Sequence, residues 1–353
     1  MDPLPWRDAW DTALYAADRG FYLTRGGPAA HFTTATHGVL GSVLAESLVR
    51  LWAETHDRPP GLVVDIGAGR GELAGHLIDA LDRVFPAPDT PRSRPAEPAR
   101  QDEPPPPAGS GAGSSTRVVA VDVVERPDEL DERIEWVRSP GGAAVPTELR
   151  DLDDVLVVAN EWLDVVPCAV VEIDEHGRAR TVLVDPATGS ESLGEVADEL
   201  DRAWLDRHWP EAPAGSRIEV GRDRDDAWAD LVSRVGSGML VALDYGHVAA
   251  ERPSGGTLTA YRRGEQTVPV PDASMDLTAH VAMDTLDADE VVRQREVLRR
   301  LGVDGSTPEH GLASSSPTDY LRELERSAAE AELIRPDGFG GFWWAVKRVQ
   351  ATT

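Results

Sequence analysis

The feature that most constrains the fold is residues 62–81, LVVDIGAGRGELAGHLIDAL, which join a strand pattern to a helix pattern through a glycine-rich turn. Residues 62–64 are apolar and mostly β-branched, which predicts a buried strand. Gly67, Gly69 and Gly71 interrupt the pattern, and apolar residues then recur at helical spacing. Strand, turn and helix together predict the first half of a βαβ unit, in which ligands bind beside the strand end and the helix N-terminus.

The spacing of the glycines separates two classes of cofactor. A dinucleotide-binding turn has the pattern GxGxxG, whereas Glu72 stands here where that pattern has its third glycine. An acid at the strand end suits a cationic ligand without phosphates better than NAD, because opposite charges attract. The pattern DxGxGxG therefore favours S-adenosylmethionine and resembles the first motif of Rossmann-like methyltransferases; the alternative is a tight turn with no ligand. The residues expected to bind the cofactor are Asp65, Gly67, Ala68, Gly69 and Gly71.

A second strand pattern, residues 117–122, also ends in an acid, Asp122. A carboxylate at this point of a nucleoside-binding sheet can accept hydrogen bonds from both ribose hydroxyls, so we expect Asp122 to bind the ribose. Between the first helix and this strand, residues 86–115 lose all periodicity and are rich in proline, glycine and serine. Such a composition cannot bury enough apolar surface to offset its ordering entropy, which predicts a disordered insertion.

The exit of a later strand pattern, residues 155–159, is the second informative site. It leads directly into Asn160, Glu161 and Asp164, which place an amide and two carboxylates where the transferred group should lie. We therefore expect Asn160 and Glu161 to contact the cofactor, and Glu161 and Asp164 to act in catalysis. The alternative is that Asn160 caps a turn and Glu161 is solvated.

Composition restricts the partners and the compartment. The net charge of −27, from 35 basic and 62 acidic residues, argues against nucleic acid and suits a cationic ligand or a basic protein segment, although a solvated acidic surface is the simpler explanation. The single cysteine, Cys168, excludes an internal disulfide and a cysteine-based zinc cluster, and we predict no metal site. No segment reaches the roughly 18 consecutive apolar residues of a membrane span, and the N-terminus does not resemble a signal peptide. We expect a cytoplasmic protein.

The remaining segments predict an N-terminal region, one main domain and several further elements. Residues 1–60 precede the first strand and predict an N-terminal helical or lid region, and residues 61–353 predict the main domain. An accessory insertion at about 168–235 should begin with a β-hairpin, and residues 291–301 predict a helix.

Two further site predictions lie outside the strand ends. Phe32, Thr33 and Thr34 form a wall of the cofactor site or, alternatively, belong to a loop anchored in the core. His280 is a candidate general base, because the pKa of histidine lies near neutral pH, although a lone histidine is more often structural.

Several segments in this order resemble the MidA-like S-adenosylmethionine-dependent methyltransferases, which include the mitochondrial complex I assembly factor 7. The resemblance implies a Rossmann-like α/β fold: a seven-stranded class I methyltransferase sheet with an N-terminal helical extension and inserted segments. It also implies S-adenosylmethionine as the cofactor. The matching segments are GFYL, FTT, DIGAGRGEL, ANEWLDVVP, LDYGH, GTLTAYRR, MDLTAHV and QREVLRRLG.

The resemblance also implies an activity, because family members with an assigned activity resemble protein arginine methyltransferases that act on a respiratory complex subunit. The expected substrate is therefore a protein with an exposed arginine, whose nitrogen Glu161 would orient with support from Asp164. Two alternatives stay open: a small-molecule acceptor, and a non-catalytic assembly or binding protein that keeps the fold. The sequence does not indicate an oligomeric state.

Overall fold

The computed structural model describes residues 2–24, 35–86 and 116–351. The α-helices within these ranges are α1 (Trp6–Tyr15), α2 (Phe21–Thr24), α3 (Gly38–Ala53), α4 (Glu72–Val84), α5 (Glu199–His208), α6 (Arg222–Ser233), α7 (Gln294–Arg300), α8 (His310–Ser315) and α9 (Pro317–Ile334). The strands are β1 (Leu4–Pro5), β2 (Leu62–Ile66), β3 (Arg117–Asp122), β4 (Ile134–Arg138), β5 (Val155–Asn160), β6 (Val170–Ile173), β7 (Ala179–Val184), β8 (Glu191–Val196), β9 (Arg217–Glu219), β10 (Gly238–Asp244), β11 (Gly246–His247), β12 (Thr259–Arg262), β13 (Glu265–Thr267), β14 (Asp276–Thr278), β15 (Val281–Ala282), β16 (Glu290–Arg293) and β17 (Trp343–Val349).

The main sheet has the strand order β16-β17-β10-β5-β2-β3-β4, which makes seven strands among the described residues. The five strands from β10 to β4 in that order are parallel, and β17 and β16 join as antiparallel strands at one edge. The apolar runs at residues 63–64, 118–121 and 155–158 are buried, as strands covered on both faces require. The arrangement confirms the predicted Rossmann-like α/β fold with a seven-stranded sheet.

Two helical layers cover the sheet and create its core. On one face α3, α4, α7 and α9 bury a cluster that includes Leu44, Leu77 and Leu333. On the other face α6 packs Trp228 against the sheet, together with the loop around Leu149. Because both faces are closed, ligands can reach the sheet only at its strand ends.

A second, antiparallel sheet lies outside the main one and has the order β1-β7-β6-β9, with β8 also paired to β7. The predicted hairpin is confirmed as β6 and β7. The N-terminal residues Leu4 and Pro5 pair with Leu183 and Val184, so the first residues of the chain extend the sheet that follows β5. Helix α1 packs Trp10 in the same cluster as β6 and β7. The predicted division at residue 60 and the limits of the accessory insertion stay predictions.

Three features complete the comparison of predicted and observed elements. The helix predicted at residues 291–301 is wrong at its start, because Glu290–Arg293 forms the edge strand β16 and α7 begins only at Gln294. The strand contains two β-branched residues, Val291 and Val292, which suit the pleated edge beside β17.

A small sheet of β13, β12 and β14 contains parts of the segments GTLTAYRR and MDLTAHV. The predicted disordered insertion at 86–115 lies outside the described residues except for Pro86.

Candidate active site

A cleft of about 1090 Å³ opens where the order of the parallel strands changes direction. From β2 the chain proceeds outwards through β3 and β4, and then returns to place β5 on the other side of β2. Parallel sheets leave a crevice at the carboxyl ends of such strands, and ligands bind there. The glycine turn after β2 and the polar exit of β5 both line this cleft. The two sites that the sequence singled out are therefore parts of one cavity.

The glycine turn has a conformation that explains its composition. Gly67, Gly69 and Gly71 have φ angles of 71°, 62° and 85°, in the left-handed region where residues other than glycine are strained. A Cβ on Gly71 would also lie 2.6 Å from Leu130 Cδ1. The N–H groups of Gly67 and Ala68 donate to the carbonyl of the neighbouring strand residue Val121, at 2.9 and 3.0 Å. The turn is thus fixed against β3, and its bare backbone lines the cleft.

Asp122 braces this turn from the end of β3. Its Oδ2 accepts a hydrogen bond from the N–H of Gly69 at 2.8 Å, and its Oδ1 accepts one from Val124 at 3.2 Å. Burial raises the pKa of Asp122 to about 6, although these backbone donors act in the opposite direction. The carboxylate lines the cleft beside the turn, as a ribose ligand must.

Asp65 is the clearest indication of a charged ligand at this end of the cleft. Its side chain is 1% exposed, yet Oδ2 has no hydrogen-bond partner among the described residues. Burial, followed by the charges of Asp122 and Glu72, raises the pKa of Asp65 to about 8. An isolated buried carboxylate is costly, whereas a cationic group beside it would remove most of that cost. Asp65 therefore fits a ligand that carries positive charge, such as S-adenosylmethionine.

Glu161 follows directly after β5, the strand next to β2, in a left-handed conformation with φ 51°. Its N–H donates to the carbonyl of Leu243 at 2.8 Å, and its Oε1 accepts from Asn160 Nδ2 at 3.3 Å. Burial, and then the charge of Asp164, raises the pKa of Glu161 to about 8. A non-glycine residue in this region is under backbone strain, and such strain is often found at functional sites.

Asp164 is 4% exposed and is held by hydroxyl groups. Its Oδ2 accepts hydrogen bonds from Tyr245 and from Thr278, the latter at 2.6 Å, whereas Oδ1 has no partner among the described residues. Burial raises the pKa of this carboxyl. The buried Arg224 nearby donates to three backbone carbonyls, those of Asp164, Val166 and His280, rather than to the carboxylate. Arg224 thus fixes the strand exits and leaves the acidic side chains to the cleft.

His280 lines the same cleft beside Tyr245, with their ring centroids 5.4 Å apart in an edge-on contact. Its backbone N–H donates to Thr257 Oγ1 at 3.0 Å. The residue is exposed overall, but the surrounding atoms of the cleft desolvate its ring and lower its pKa. The imidazole is therefore neutral near pH 7 and can accept a proton, and its role as a base stays a prediction.

The sequence did not identify Asp276 as an acid of this cleft, nor Tyr22 as the residue that holds it. Asp276 on β14 is 7% exposed, and its Oδ1 accepts a 2.7 Å hydrogen bond from the hydroxyl of Tyr22 on α2. Burial raises the pKa of Asp276 to about 7. The segment MDLTAHV contained the signal, an acid inside an otherwise apolar strand, but nothing in the linear pattern placed it beside Glu161.

The limits of the described residues bear on the remaining predictions. Phe32, Thr33 and Thr34, the predicted wall of the cofactor site, lie outside the described residues. Within residues 2–24, 35–86 and 116–351, no group of three or more His, Cys, Asp or Glu side chains is arranged to hold a metal ion. No helix of those ranges is long and apolar enough to cross a membrane.

Comparison with known protein families identifies the class of enzyme. The sequence profile of a family of S-adenosyl-L-methionine-dependent methyltransferases matches residues 107–302, more than half of the chain. The chain belongs to this family. The chain is an S-adenosylmethionine-dependent methyltransferase, which confirms the predicted enzyme class and cofactor and is consistent with the MidA-like resemblance. No curated protein matches the chain.

Two solved structures have the same fold over almost the whole chain. One is a Burkholderia thailandensis protein assigned to methyl transfer and bound to S-adenosyl-homocysteine, with a TM-score of 0.70 and 21% identity, covering 99% of this chain and 89% of that one. The other is a native structure of a protein of the same superfamily from the same organism, with a TM-score of 0.68, 21% identity and coverage of 99% and 88%. At 21% identity, these two structures support the fold of this chain alone.

Proposed function

We propose that this methyltransferase modifies an arginine nitrogen of a protein substrate. The observation that carries the proposal is the group of acidic side chains at the acceptor end of the cleft, Glu161, Asp164 and Asp276, whose pKa values are all raised by burial. A site that desolvates carboxylates in this way favours a cationic acceptor, because the cation removes the cost of ionising them. An arginine side chain supplies such a cation together with several N–H donors.

The two ends of the cleft have different proposed roles. When bound, S-adenosylmethionine supplies an electrophilic methyl group. Asp65 and the turn Gly67–Gly71 would face its positively charged end, and Asp122 would accept hydrogen bonds from its ribose. Asn160 and Glu161 lie at the exit of β5, the strand next to β2, so the acceptor end adjoins the cofactor end there. Most of the remaining catalysis would come from holding the acceptor nitrogen in line with the reacting carbon.

Glu161 has the chemistry that an arginine acceptor requires. A guanidinium has a pKa above about 12 and keeps its proton unless a base takes it as the nitrogen reacts. Glu161 would hold an Nη–H group and accept that proton on a carboxylate oxygen, with Asp164 in support. Burial raises the pKa of Glu161 to about 8 in the ligand-free cleft, and a bound guanidinium would favour its ionised form, which can take the proton as the nitrogen reacts. His280 is the alternative base, from the mouth of the same cleft.

A protein substrate also suits the charge of the chain, since a net charge of −27 favours association with a basic segment. A respiratory complex subunit is the substrate that the MidA-like resemblance suggests. A small-molecule acceptor is the second candidate, and the size of the cleft favours it, because about 1090 Å³ can hold a cofactor and a small ligand together.

A label-transfer experiment separates these candidates. The purified enzyme is incubated with methyl-labelled S-adenosylmethionine and a host-cell lysate that has been divided into a protein fraction and a small-molecule filtrate. We expect the label in the protein fraction, and acid hydrolysis should recover it as methylarginine. Label confined to the filtrate would contradict the proposal and favour the small-molecule acceptor.

A further inference from the structure

The acceptor end of the cleft has a second acidic wall that comes from a different part of the fold. Glu161 lies at the exit of β5 in the main sheet, whereas Asp276 lies on β14, which pairs with β12 in the separate small sheet. Both line the cleft, and after burial and Asp164 the charge of Asp276 also raises the pKa of Glu161. Tyr261 on β12 lies close enough to both carboxyl groups, and to Asp164, for all three charges to raise its pKa.

Among the described residues, no cationic side chain is hydrogen-bonded to Asp276, and Tyr22 holds it in place. Tyr22 donates to Oδ1 at 2.7 Å and fixes the carboxyl group, but a carboxylate has about four acceptor positions, so it keeps capacity for further donors. Asp164 lines the same cleft and is only 4% exposed. Its Oδ1 has no hydrogen-bond partner among the described residues. The only buried arginine beside these acids within the described ranges, Arg224, donates to backbone carbonyls. The acids therefore face the cleft as acceptors for a ligand.

We propose that Asp276 is a second substrate-binding carboxylate, which contacts the acceptor cation together with Glu161 and selects a guanidinium over an ammonium. The inference rests on the proposed function of the same cleft. A guanidinium is planar and presents five N–H donors in a rigid fork, so two of its nitrogens can each meet a carboxylate from a different wall. An ammonium is a compact point charge and cannot span two walls in this way.

The aromatic side chains of the acceptor end add to this selectivity. Tyr22, Tyr245, Tyr261 and Phe342 all line the cleft, and a flat, weakly hydrated guanidinium packs on such rings more favourably than a strongly hydrated ammonium. Asp276 thus sets the position of one nitrogen, while Glu161 meets the nitrogen that reacts.

The test compares Asp276→Asn with the wild-type enzyme. The readouts are the initial rate of labelled methylarginine formation in dilute lysate protein and the affinity for S-adenosyl-homocysteine by calorimetry. We expect the rate to fall about 100-fold while the affinity for S-adenosyl-homocysteine changes less than twofold. Asp276→Glu keeps the charge and should recover part of the rate.

A matched control is Asp225→Asn. Asp225 is a half-buried acid whose pKa burial raises to about 6, and it accepts hydrogen bonds from Trp204 and Thr285, but it does not line the cleft. Its substitution should leave the rate of methylarginine formation within about twofold of wild type. An equal loss in both variants would show that Asp276 acts only through folding.

A competition experiment covers the case in which Asp276→Asn does not fold. Methylguanidine and methylammonium are added separately to the wild-type enzyme, and the inference predicts that methylguanidine inhibits at a concentration at least tenfold lower. Equal inhibition by the two cations, or an Asp276→Asn variant with full rate, overturns the inference. If the wild-type enzyme forms no methylarginine at all, the proposed function itself fails, so the two failures are distinguishable.

Discussion

The two ends of the cleft are built in different ways. The cofactor end uses two consecutive strands of the main sheet, because the turn after β2 and the end of the adjacent β3 supply Asp65, Gly69 and Asp122. The acceptor end collects side chains from α2, from the exit of β5 and from β14, which are more than 100 residues apart. The difference teaches that a cofactor site can be a local motif, whereas an acceptor site depends on the tertiary fold.

The largest effect should come from the acceptor end. Glu161→Gln removes the proposed base but keeps the shape of the side chain, so turnover should fall about 10³-fold. Affinity for S-adenosyl-homocysteine should change little, because Asp65 and the glycine turn are untouched. Steady-state rates and calorimetry on the same preparation measure both quantities. A variant with near-normal turnover, or one that loses cofactor affinity instead, would break the division between the two ends.

The reverse result is expected from Asp65→Asn. This change removes the carboxyl group that a bound cation would ionise, so affinity for S-adenosylmethionine should fall about 30-fold, or about 2 kcal/mol. The free enzyme should be more stable than wild type at pH 9, by about 2 kcal/mol, because a buried ionised carboxylate has gone. Calorimetry and denaturant titration test the two halves. Unchanged cofactor affinity would show that Asp65 is only a structural group.

The raised pKa values of the acceptor end predict how stability depends on pH. A carboxyl group with a raised folded-state pKa stabilises the fold fully below its unfolded pKa of about 4, and this contribution is lost as the pH rises through the folded-state value. For Glu161 and Asp276, at about 8 and about 7, the loss should extend from about pH 4 to pH 8. Each group can change the free energy of unfolding by at most about 1.4 kcal/mol per pH unit.

Denaturant titrations between pH 5 and pH 9 test this dependence in the ligand-free enzyme. The double variant Glu161→Gln with Asp276→Asn should lose less stability over this window than wild type does. Ionisable groups outside the cleft contribute equally to both proteins, so the difference between the two curves reports the coupled acids of the cleft. Curves that run parallel would mean that these acids are not desolvated.

The smallest effect should come from Tyr22→Phe. This change removes the hydroxyl that holds Asp276 but leaves both acids in place, and a single hydrogen bond contributes about 1 kcal/mol. The rate of methylarginine formation should therefore fall about fivefold, with no change in cofactor affinity. A loss as large as that of Asp276→Asn would mean that the carboxylate cannot keep its position without Tyr22.

The same contrast explains how much of the structure could be predicted from the sequence. The parallel strands were predictable because runs such as residues 155–158 are continuously apolar and β-branched, as doubly covered strands require. Their carboxyl ends meet at one edge, so Asp65, Asp122 and Glu161 could be assigned to a common site before any coordinates.

The parts that could not be predicted depend on pairing between distant segments. Leu4–Pro5 is too short to show a strand pattern, and only its partner β7 defines it as a strand. Glu290–Arg293 runs directly into the helical residues of α7, and only its pairing with β17 separates it from them as a strand. Asp276 faces the acceptor cleft because β14 pairs with β12, and no local signal encodes that contact.

The most direct test of the two-ended cleft is the single-turnover formation of methylarginine by wild-type enzyme and by Glu161→Gln, each saturated with methyl-labelled S-adenosylmethionine. Saturation removes any difference in cofactor binding, so the rate reports only the acceptor end. The account predicts labelled methylarginine from the wild-type enzyme and a rate about 10³-fold lower from the variant. Equal rates, or label recovered on any residue other than arginine, would contradict it.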